Sequence, residues 1–287
     1  MTDCPDIFCQ LIHFFADPLS LGLMQRALLA VVLIGIVSGV MGAYVVTRGM
    51  AFLGDALAHS VLPGVVLAFL AFGSGPGLLV GGLAAGSVSA LIIGFLTRGR
   101  RLAEDTAIGI VFAGMLALGI GIISGARDFS VDLTHMLIGN ILAVDQTDLW
   151  LIGIFGGLVL LIIALFYKEF LAISFDPTLV QTLRLPGEAL RLLLLVLLAV
   201  TIVIGVQVVG VSLVSALVVA PAATARFFVN RLHHLMLLSG VIGAGSGVVG
   251  IYAAWYLRIA PSATIVLTMT LLFALAFFFA PRKGYLW

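Results

Sequence analysis

Charged residues are scarce in this chain of 287 residues, since only 9% are Asp, Glu, Lys or Arg while 62% are hydrophobic. Soluble domains carry about 25% charged residues. The composition therefore excludes an ordinary soluble domain and predicts an all-α polytopic membrane protein. The formal net charge is only +1, so the chain has no basic field to attract nucleic acid, and we expect membrane lipid rather than nucleic acid around it.

Lysine is rarer still, because Lys168 and Lys283 are the only two in the chain. Neither ends a GxxxxGK(S/T) loop, which excludes ATP hydrolysis by a P-loop, and the HExxH motif of zinc proteases is also absent. We therefore expect no catalytic residues and no bound cofactor. Cys4 and Cys9 lie in the N-terminal tail without the CxxC spacing of metal sites, and we expect them to be incidental.

Apolar runs of about 20 residues predict nine transmembrane helices within one transmembrane domain, residues 23–287. The count becomes eight if 188–228 is a single kinked span, and it also changes if residues 133–144 cross the membrane fully. Residues 1–22 mix acidic and apolar side chains and lack the features of a signal peptide, which predicts an extracytoplasmic segment with an interfacial helix. The nine predicted spans are 23–46, 52–72, 77–97, 106–125, 148–167, 188–208, 210–228, 234–257 and 262–281.

The positions of the basic residues predict the orientation of these spans. Alternate loops are rich in Lys and Arg, whereas the other loops contain only Arg26, Arg127 and Arg258 beside several aspartates. By the positive-inside rule the basic loops are cytoplasmic, which places the N-terminus outside and the C-terminus inside. The basic set is Arg48, Arg98, Arg100, Arg101, Lys168, Arg184, Arg191, Arg226, Arg231, Arg282 and Lys283.

Asp55 and His59 are the polar residues that the predicted spans explain least. They lie four residues apart within an apolar segment, so one helix face carries both side chains. Charge inside a membrane is costly and usually marks a functional site, and a carboxylate with an imidazole suits a divalent metal ion. The alternative is structural: Asp55 would cap a helix start, and His59 would bond a backbone carbonyl. Pro63 and Gly64 next loosen the helix, as in segments that line a cavity.

A second candidate region is the insertion after Lys168, which contains FDPTLVQTLRLPGE. Asp176 can cap a short helix with Pro177 at its first position, and Leu185-Pro186-Gly187 ends it, so the helix is expected near 176–185. An amphipathic helix of this kind either lies on the lipid surface or docks into a soluble partner, and its lack of Lys and Arg favours docking. Its apolar face consists of Leu179, Val180 and Leu183.

Other polar residues and several glycine pairs complete the inventory of candidates. His135 lies in residues 133–144, which are too short to span and predict an outer re-entrant or interfacial helix, where the histidine either guides an ion inward or is simply solvated. Ser212 and Ser215 near the break between two spans are expected to satisfy freed backbone groups. Small residues at four-residue spacing predict close helix packing at Gly35/Gly39, Gly82/Gly86, Gly121/Gly125, Gly153/Gly157 and Gly243/Gly247.

Several stretches of the chain, in this order, resemble the permease subunit of a bacterial metal-ion ABC importer of the manganese, zinc and iron chelate family. They are GDALAHSVLPG (54–64), RLAEDTAIGIVF (101–112), HMLIGNIL (135–142), FDPTLVQTL (175–183) and VGVSLVSALVVAPAATAR (209–226). The resemblance implies a type II importer fold in the inner (plasma) membrane of a bacterium. It also implies a homodimer of permeases, two copies of a separate ATPase that binds the ATP, and an extracytoplasmic metal-binding protein or lipoprotein.

Carried over by position, the family's intramembrane metal residues fall on Asp55 and His59, and its coupling helix falls on Asp176 to Leu183. The HSVLPG form of the motif resembles manganese-type members, although an oxygen and nitrogen donor pair also suits Zn²⁺ or Fe²⁺. The competing hypothesis is a secondary metal transporter driven by an ion gradient. That transporter would need further carboxylates at the membrane midplane, and it would leave the segment after Asp176 unexplained.

Overall fold

The computed structural model describes residues 17–73, 77–100, 102–125, 141–175, 180 and 182–280, and every regular element in these ranges is helical, which confirms the predicted all-α class. Predictions for His135, Asp176, Pro177, Leu179 and the two cysteines lie outside the described residues. The principal helices are α1 Gly22–Thr47, α2 Phe52–Ser60, α3 Leu62–Phe72, α4 Gly77–Leu96, α5 Glu104–Gly125, α6 Gln146–Leu151, α7 Gly157–Leu165, α8 Tyr167–Phe175, α9 Gly187–Val209, α10 Val211–Arg226, α11 Leu232–Leu257 and α12 Pro261–Phe279.

Eight helical stretches within the described residues are long and apolar enough to cross a bilayer. Two of them are composite: α2 and α3 together form Phe52–Phe72, and α6 and α7 are joined through a π-helical turn, Ile152–Gly156. The remaining predicted span, 210–228, the seventh in chain order, corresponds to α10, whose 16 residues cover about 24 Å of a hydrocarbon core that is about 30 Å thick. The predicted spans therefore match the helices, with α10 as the short one.

Residues 188–228 form two helices, α9 and α10, and only α9 is long enough to be counted among the eight spanning stretches of the described residues. Gly210 lies between them with φ 87° and ψ 164°. This conformation is open to glycine and strained for other residues, and it ends the hydrogen-bonded ladder of α9. The chain therefore changes direction at Gly210 before α10 begins at Val211.

The centre of the described structure is α1, which packs along α11 and α10. Gly35 and Gly39 face α11, and a Cβ atom at Gly39 would lie 2.6 Å from the backbone oxygen of Ser239. The Ser239 hydroxyl also donates a hydrogen bond to the Gly39 carbonyl at 2.6 Å. In lipid, helices associate through such close packing and interhelical hydrogen bonds. Three of the predicted glycine pairs therefore lie in helix contacts: Gly35/Gly39 and Gly243/Gly247 between α1 and α11, and Gly82/Gly86 beside Val61 and Val203.

The break in the second span is gentler than the sequence suggested. Val61, with φ −70° and ψ −27°, joins α2 to α3 in helical conformation, and Pro63 lies in the first turn of α3, where its missing N–H costs nothing. Gly64 then allows α3 to approach Gly81 of α4 backbone to backbone. Pro63 and Gly64 thus start a new helix and pack it, while Asp55 and His59 stay in the short helix before the joint.

A matched pair of glycine substitutions tests this packing. We expect Gly39→Ala to lower the free energy of unfolding by about 1–3 kcal/mol, because the new methyl group overlaps the α11 backbone. Gly245→Ala lies in α11, the helix that Gly39 packs against, but has no atom near its Cβ position, so it should be neutral or stabilising by up to about 1 kcal/mol. Thermal unfolding in detergent measures both effects, and equal stability of the two variants would contradict the packing argument.

Candidate metal site

Helix α2 holds Asp55 and His59 on one face, as the four-residue spacing predicted. His59 Nδ1 lies 3.7 Å from Asp55 Oδ1 and 3.0 Å from the Asp55 backbone carbonyl oxygen. A carbonyl oxygen only accepts, so this hydrogen bond requires the proton on Nδ1 and leaves the lone pair on Nε2. A histidine with Nδ1–H bonded to a carbonyl is oriented to bind a metal ion through Nε2.

The structural alternative for this pair is only half met. The expected carbonyl partner of His59 is present, but Asp55 does not cap α2, because the N-cap residue is Ala51 and no side chain makes the cap hydrogen bond. The carboxylate therefore makes no capping hydrogen bond, and its remaining local role is that of a negative charge in the first turn of α2. The bond from His59 to the Asp55 carbonyl matches that alternative, and the same bond fixes the orientation of the imidazole ring.

The pair lies on the open side of an otherwise buried helix. Of the nine residues of α2, six are buried, whereas the Asp55 and His59 side chains are 42% and 27% exposed. Phe112 of α5 meets the His59 ring edge to face, with centroids 5.6 Å apart and an angle of 90°. The two polar groups thus border an apolar wall, and a cation that reached them would lose part of its water and feel a strengthened charge.

Ser215 of α10 is the third polar group at this place. Its hydroxyl lies 3.2 Å from Asp55 Oδ1, across 160 residues of sequence, and 3.1 Å from the Val211 carbonyl of its own helix. The predicted role in satisfying backbone is therefore present, but the contact with Asp55 was missed. The sequence signal was only a hydroxyl one turn after a glycine break, which does not specify a partner.

The described residues contain no cluster of three or more His, Cys, Asp or Glu side chains that could hold a metal ion. The candidate site therefore offers one carboxylate and one imidazole, with the Ser215 hydroxyl beside them. Such a site is incomplete for a divalent transition metal, which takes four to six ligands. Water or a second copy of the chain would have to supply the remainder.

Two residues of the predicted coupling helix are described. Val180 is half buried, and its carbonyl oxygen accepts a hydrogen bond from the Leu185 backbone N–H at 3.0 Å. Leu183 is 57% exposed, and Arg184 follows it in the left-handed conformation with φ 51°. An exposed leucine just before the turn leaves part of the predicted apolar face open.

A polar cluster that the sequence did not predict lies next to this segment. Arg191 at the start of α9 donates hydrogen bonds to Glu104 Oε1 at 2.8 Å and to the Thr97 hydroxyl. These contacts join the end of α4 and the start of α5 to α9. In the sequence, Arg191 served only as one of the basic residues that indicate the cytoplasmic side. Its pairing with Glu104 could not be predicted, because the two residues are 87 positions apart.

Arg48 lies in the wall of the same region, beside a cavity of about 850 Å³ that Val180, Glu104 and Arg191 also line. Its Nη2 donates to the Ile173 carbonyl at 3.4 Å, and its Nη1 is buried without a hydrogen-bond partner. Burial lowers the pKa of the Arg48 guanidinium below its ordinary value, because desolvation disfavours the charged form. The cavity therefore has one buried cation and one ion pair in its wall.

Comparison with known proteins finds one matching family and several similar membrane proteins of manganese transport systems. The model of the ABC 3 transport family matches residues 20–280. The chain is 44% identical to the manganese transport system membrane protein MntC of Halalkalibacterium halodurans, over 96% of this chain and 94% of the relative. It is 41% identical to the manganese import system permease protein ScaB of Streptococcus gordonii, over 92% and 93% of the two chains.

A solved structure agrees with these relatives. PsaBC from Streptococcus pneumoniae, in complex with Fab, matches with a TM-score of 0.83 and 37% identity over 96% of this chain and 98% of that chain. The resemblance to a metal-ion ABC importer permease is thereby confirmed. Because the family match covers nearly the whole described helical structure, and relatives well above 30% identity cover over nine tenths of the sequence, the chain belongs to the ABC 3 transport family.

Proposed function

We propose that this chain is the membrane-spanning permease of an ATP-driven importer that moves Mn²⁺ into the cytoplasm. The observation that carries the proposal is the half-exposed Asp55 and His59 pair on α2, an oxygen and a nitrogen donor in an apolar helix without a capping role. The names of relatives that are 41–44% identical support manganese in particular. Zn²⁺ and Fe²⁺ suit the same donors and are the alternative cargoes.

The chemistry of the Asp55 and His59 pair suits a site that an ion passes through better than a site that holds an ion permanently. A carboxylate offsets part of the lost hydration of a divalent ion, and His59 Nε2 adds one nitrogen ligand. Two side-chain ligands hold the ion weakly, which transport requires because the ion must also leave. A second copy of the chain across a dimer axis would supply another Asp55 and His59, so the complete site belongs to a homodimer.

The partners follow from the same mechanism. An extracytoplasmic metal-binding protein delivers the ion to the outer side, and His135 is the candidate for guiding its entry. Two copies of a separate ATPase drive the permease from the cytoplasmic side, through the segment that contains Asp176, Pro177, Leu179, Val180 and Leu183. The exposure of Leu183 and the adjoining cavity of about 850 Å³ support this segment as the docking place.

The site itself is tested by Asp55→Asn, which keeps the size of the side chain and an oxygen that Ser215 can bond, but removes the charge. We expect Mn²⁺ uptake by the complete transporter in proteoliposomes to fall at least about tenfold, the equivalent of 1.4 kcal/mol. The combination with His59→Ala should be little worse than either change alone, because ligands of one site act as a unit.

The control is Asp145→Asn, an exposed carboxylate at the start of α6 where Asn caps equally well. Its uptake should equal that of the wild type. If Asp55→Asn transports Mn²⁺ at close to the wild-type rate, Asp55 is not a ligand of the ion. That result would hold even if the protein is a manganese permease.

Coupling is tested by Leu183→Asp, since a charge in an apolar docking face is buried without a partner when the ATPase binds. We expect ATPase co-purification to fall at least about tenfold while membrane insertion is unchanged. Phe228→Asp is the matched control, because Phe228 is also about half exposed but follows α10 in a different loop. If Leu183→Asp binds the ATPase as well as the wild type does, the segment is not the docking place, and the alternative that it lies on the lipid surface is favoured.

Orientation is tested with single cysteines at Arg100 and Asp128 in a background in which Cys4 and Cys9 are Ser. The basic loops predict that Arg100 lies in the cytoplasm and Asp128 outside. A membrane-impermeant thiol reagent added to intact cells should label the cysteine at 128 only. Labelling of both positions from outside would contradict an N-terminus outside and a C-terminus inside.

A further inference from the structure

The hydroxyl of Ser215 lies between two acceptors. Asp55 Oδ1 is 3.2 Å away on a neighbouring helix, and the Val211 carbonyl is 3.1 Å away in the preceding turn of α10. Both distances are hydrogen-bond distances, and the same Oδ1 also lies 3.7 Å from His59 Nδ1. Ser215 therefore touches the same carboxylate oxygen that faces the imidazole.

A serine hydroxyl has one proton and two lone pairs, so it can give its proton fully to only one of these acceptors. With no cation nearby, the hydroxyl donates its hydrogen bond to Asp55, because a bond to a charged acceptor is about twice as strong as a bond to a neutral one. When a cation occupies the carboxylate, the charge is neutralised and the proton is repelled. The hydroxyl then donates its hydrogen bond to the Val211 carbonyl, and a lone pair of Oγ turns toward the cation.

From this arrangement we infer that Ser215 is a third ligand for the transported ion and favours Mn²⁺ over Zn²⁺. The inference rests on the proposed function, since it takes Asp55 and His59 as the first two ligands. The step forms and breaks no covalent bond: one hydrogen bond moves from Asp55 to Val211, and one neutral oxygen joins the ion.

The selectivity follows from the donor atoms. Zn²⁺ is satisfied with four ligands and prefers nitrogen and sulfur, so a neutral hydroxyl adds little to its binding. Mn²⁺ is harder and prefers oxygen donors. The Irving–Williams order favours zinc at a bare carboxylate and imidazole pair, and an added oxygen ligand reduces that disadvantage of manganese. The Ser215 hydroxyl is thus placed to raise the ratio of Mn²⁺ transport to Zn²⁺ transport.

A purely orienting role for Ser215 predicts a different result. If the hydroxyl only held the Asp55 carboxylate in place, its loss would weaken both ions alike, since both need that carboxylate. If it only satisfied the Val211 carbonyl, its loss would change neither ion. The ratio of Mn²⁺ to Zn²⁺ transport therefore distinguishes a ligand from a support.

The experiment compares Ser215→Ala, Ser215→Thr and Ser215→Cys with the wild type in proteoliposomes that contain the complete transporter. The delivering protein is preloaded with Mn²⁺ or with Zn²⁺, so its own preference cancels when each variant's transport ratio is divided by that of the wild type. Ser212→Ala is the matched control, because Ser212 lies one turn earlier in α10 and is exposed.

We expect Ser215→Ala to lower the Mn²⁺ to Zn²⁺ ratio at least about fivefold, which corresponds to losing one weak ligand. Ser215→Thr keeps the hydroxyl and the bond to the preceding carbonyl, so its ratio should stay near that of the wild type. Ser215→Cys replaces a hard oxygen with a soft sulfur and should lower the ratio further. Ser212→Ala should leave the ratio unchanged.

An unchanged ratio in Ser215→Ala, with or without a common loss of both ions, overturns the inference. The failure of the underlying function looks different, because then Asp55→Asn itself transports normally. If Asp55→Asn is inactive and Ser215→Ala keeps the wild-type ratio, Asp55 remains a ligand and Ser215 does not.

Discussion

The close approach of α1 to α10 and α11 is the packing constraint on which the rest of the described structure depends. A Cβ atom at Gly42 would collide with the Val218 carbonyl of α10, and one at Gly35 would lie 2.8 Å from Gly243 of α11. The other side of α10 lies against α2, where Val218 approaches within 3.7 Å of the Cβ position of Gly54. The helix that carries Ser215 is therefore held between α1 and the helix that carries Asp55.

This packing explains how a charged residue can reside in such an apolar chain. A carboxylate in the hydrocarbon core costs several kcal/mol or more, and the structure reduces that cost in two ways. Asp55 accepts a hydrogen bond from Ser215, and its side chain stays 42% exposed on the open side of α2. If the pair binds the transported ion as proposed, its small number of ligands suits transport, because a completely enclosed set of ligands would hold a divalent ion too tightly to release it.

The helices α9 and α10 link the two ends of the proposed mechanism. The start of α9 carries Arg191 in its hydrogen bonds with Glu104 and Thr97, beside the cavity next to the coupling segment. After 23 residues α9 ends at Gly210, and Ser215 follows in the second turn of α10. The shortest route along the chain from the proposed coupling segment to the proposed metal site therefore runs through one helix and one glycine joint.

The sequence by itself determined the membrane class, the approximate spans and the Asp55 and His59 pair, because hydrophobic run length and the four-residue helical repeat are local properties. It did not determine which glycines pack. Gly35 and Gly39 meet α11 backbone, whereas Gly121 and Gly125, with the same spacing, have nothing near their Cβ positions. Small-residue spacing permits close approach, and only the partner helix decides whether it occurs.

Contacts between distant residues were likewise decided only by the tertiary structure. Ser215 reaches Asp55 across 160 residues, and Arg191 reaches Glu104 across 87. No periodicity in either helix specifies these partners, because a side chain's hydrogen bond depends on the position and rotation of the neighbouring helix as well as its own. The sequence could therefore identify two of the candidate ligands, which share one helix, but the hydroxyl beside them became visible only when α10 was packed against α2.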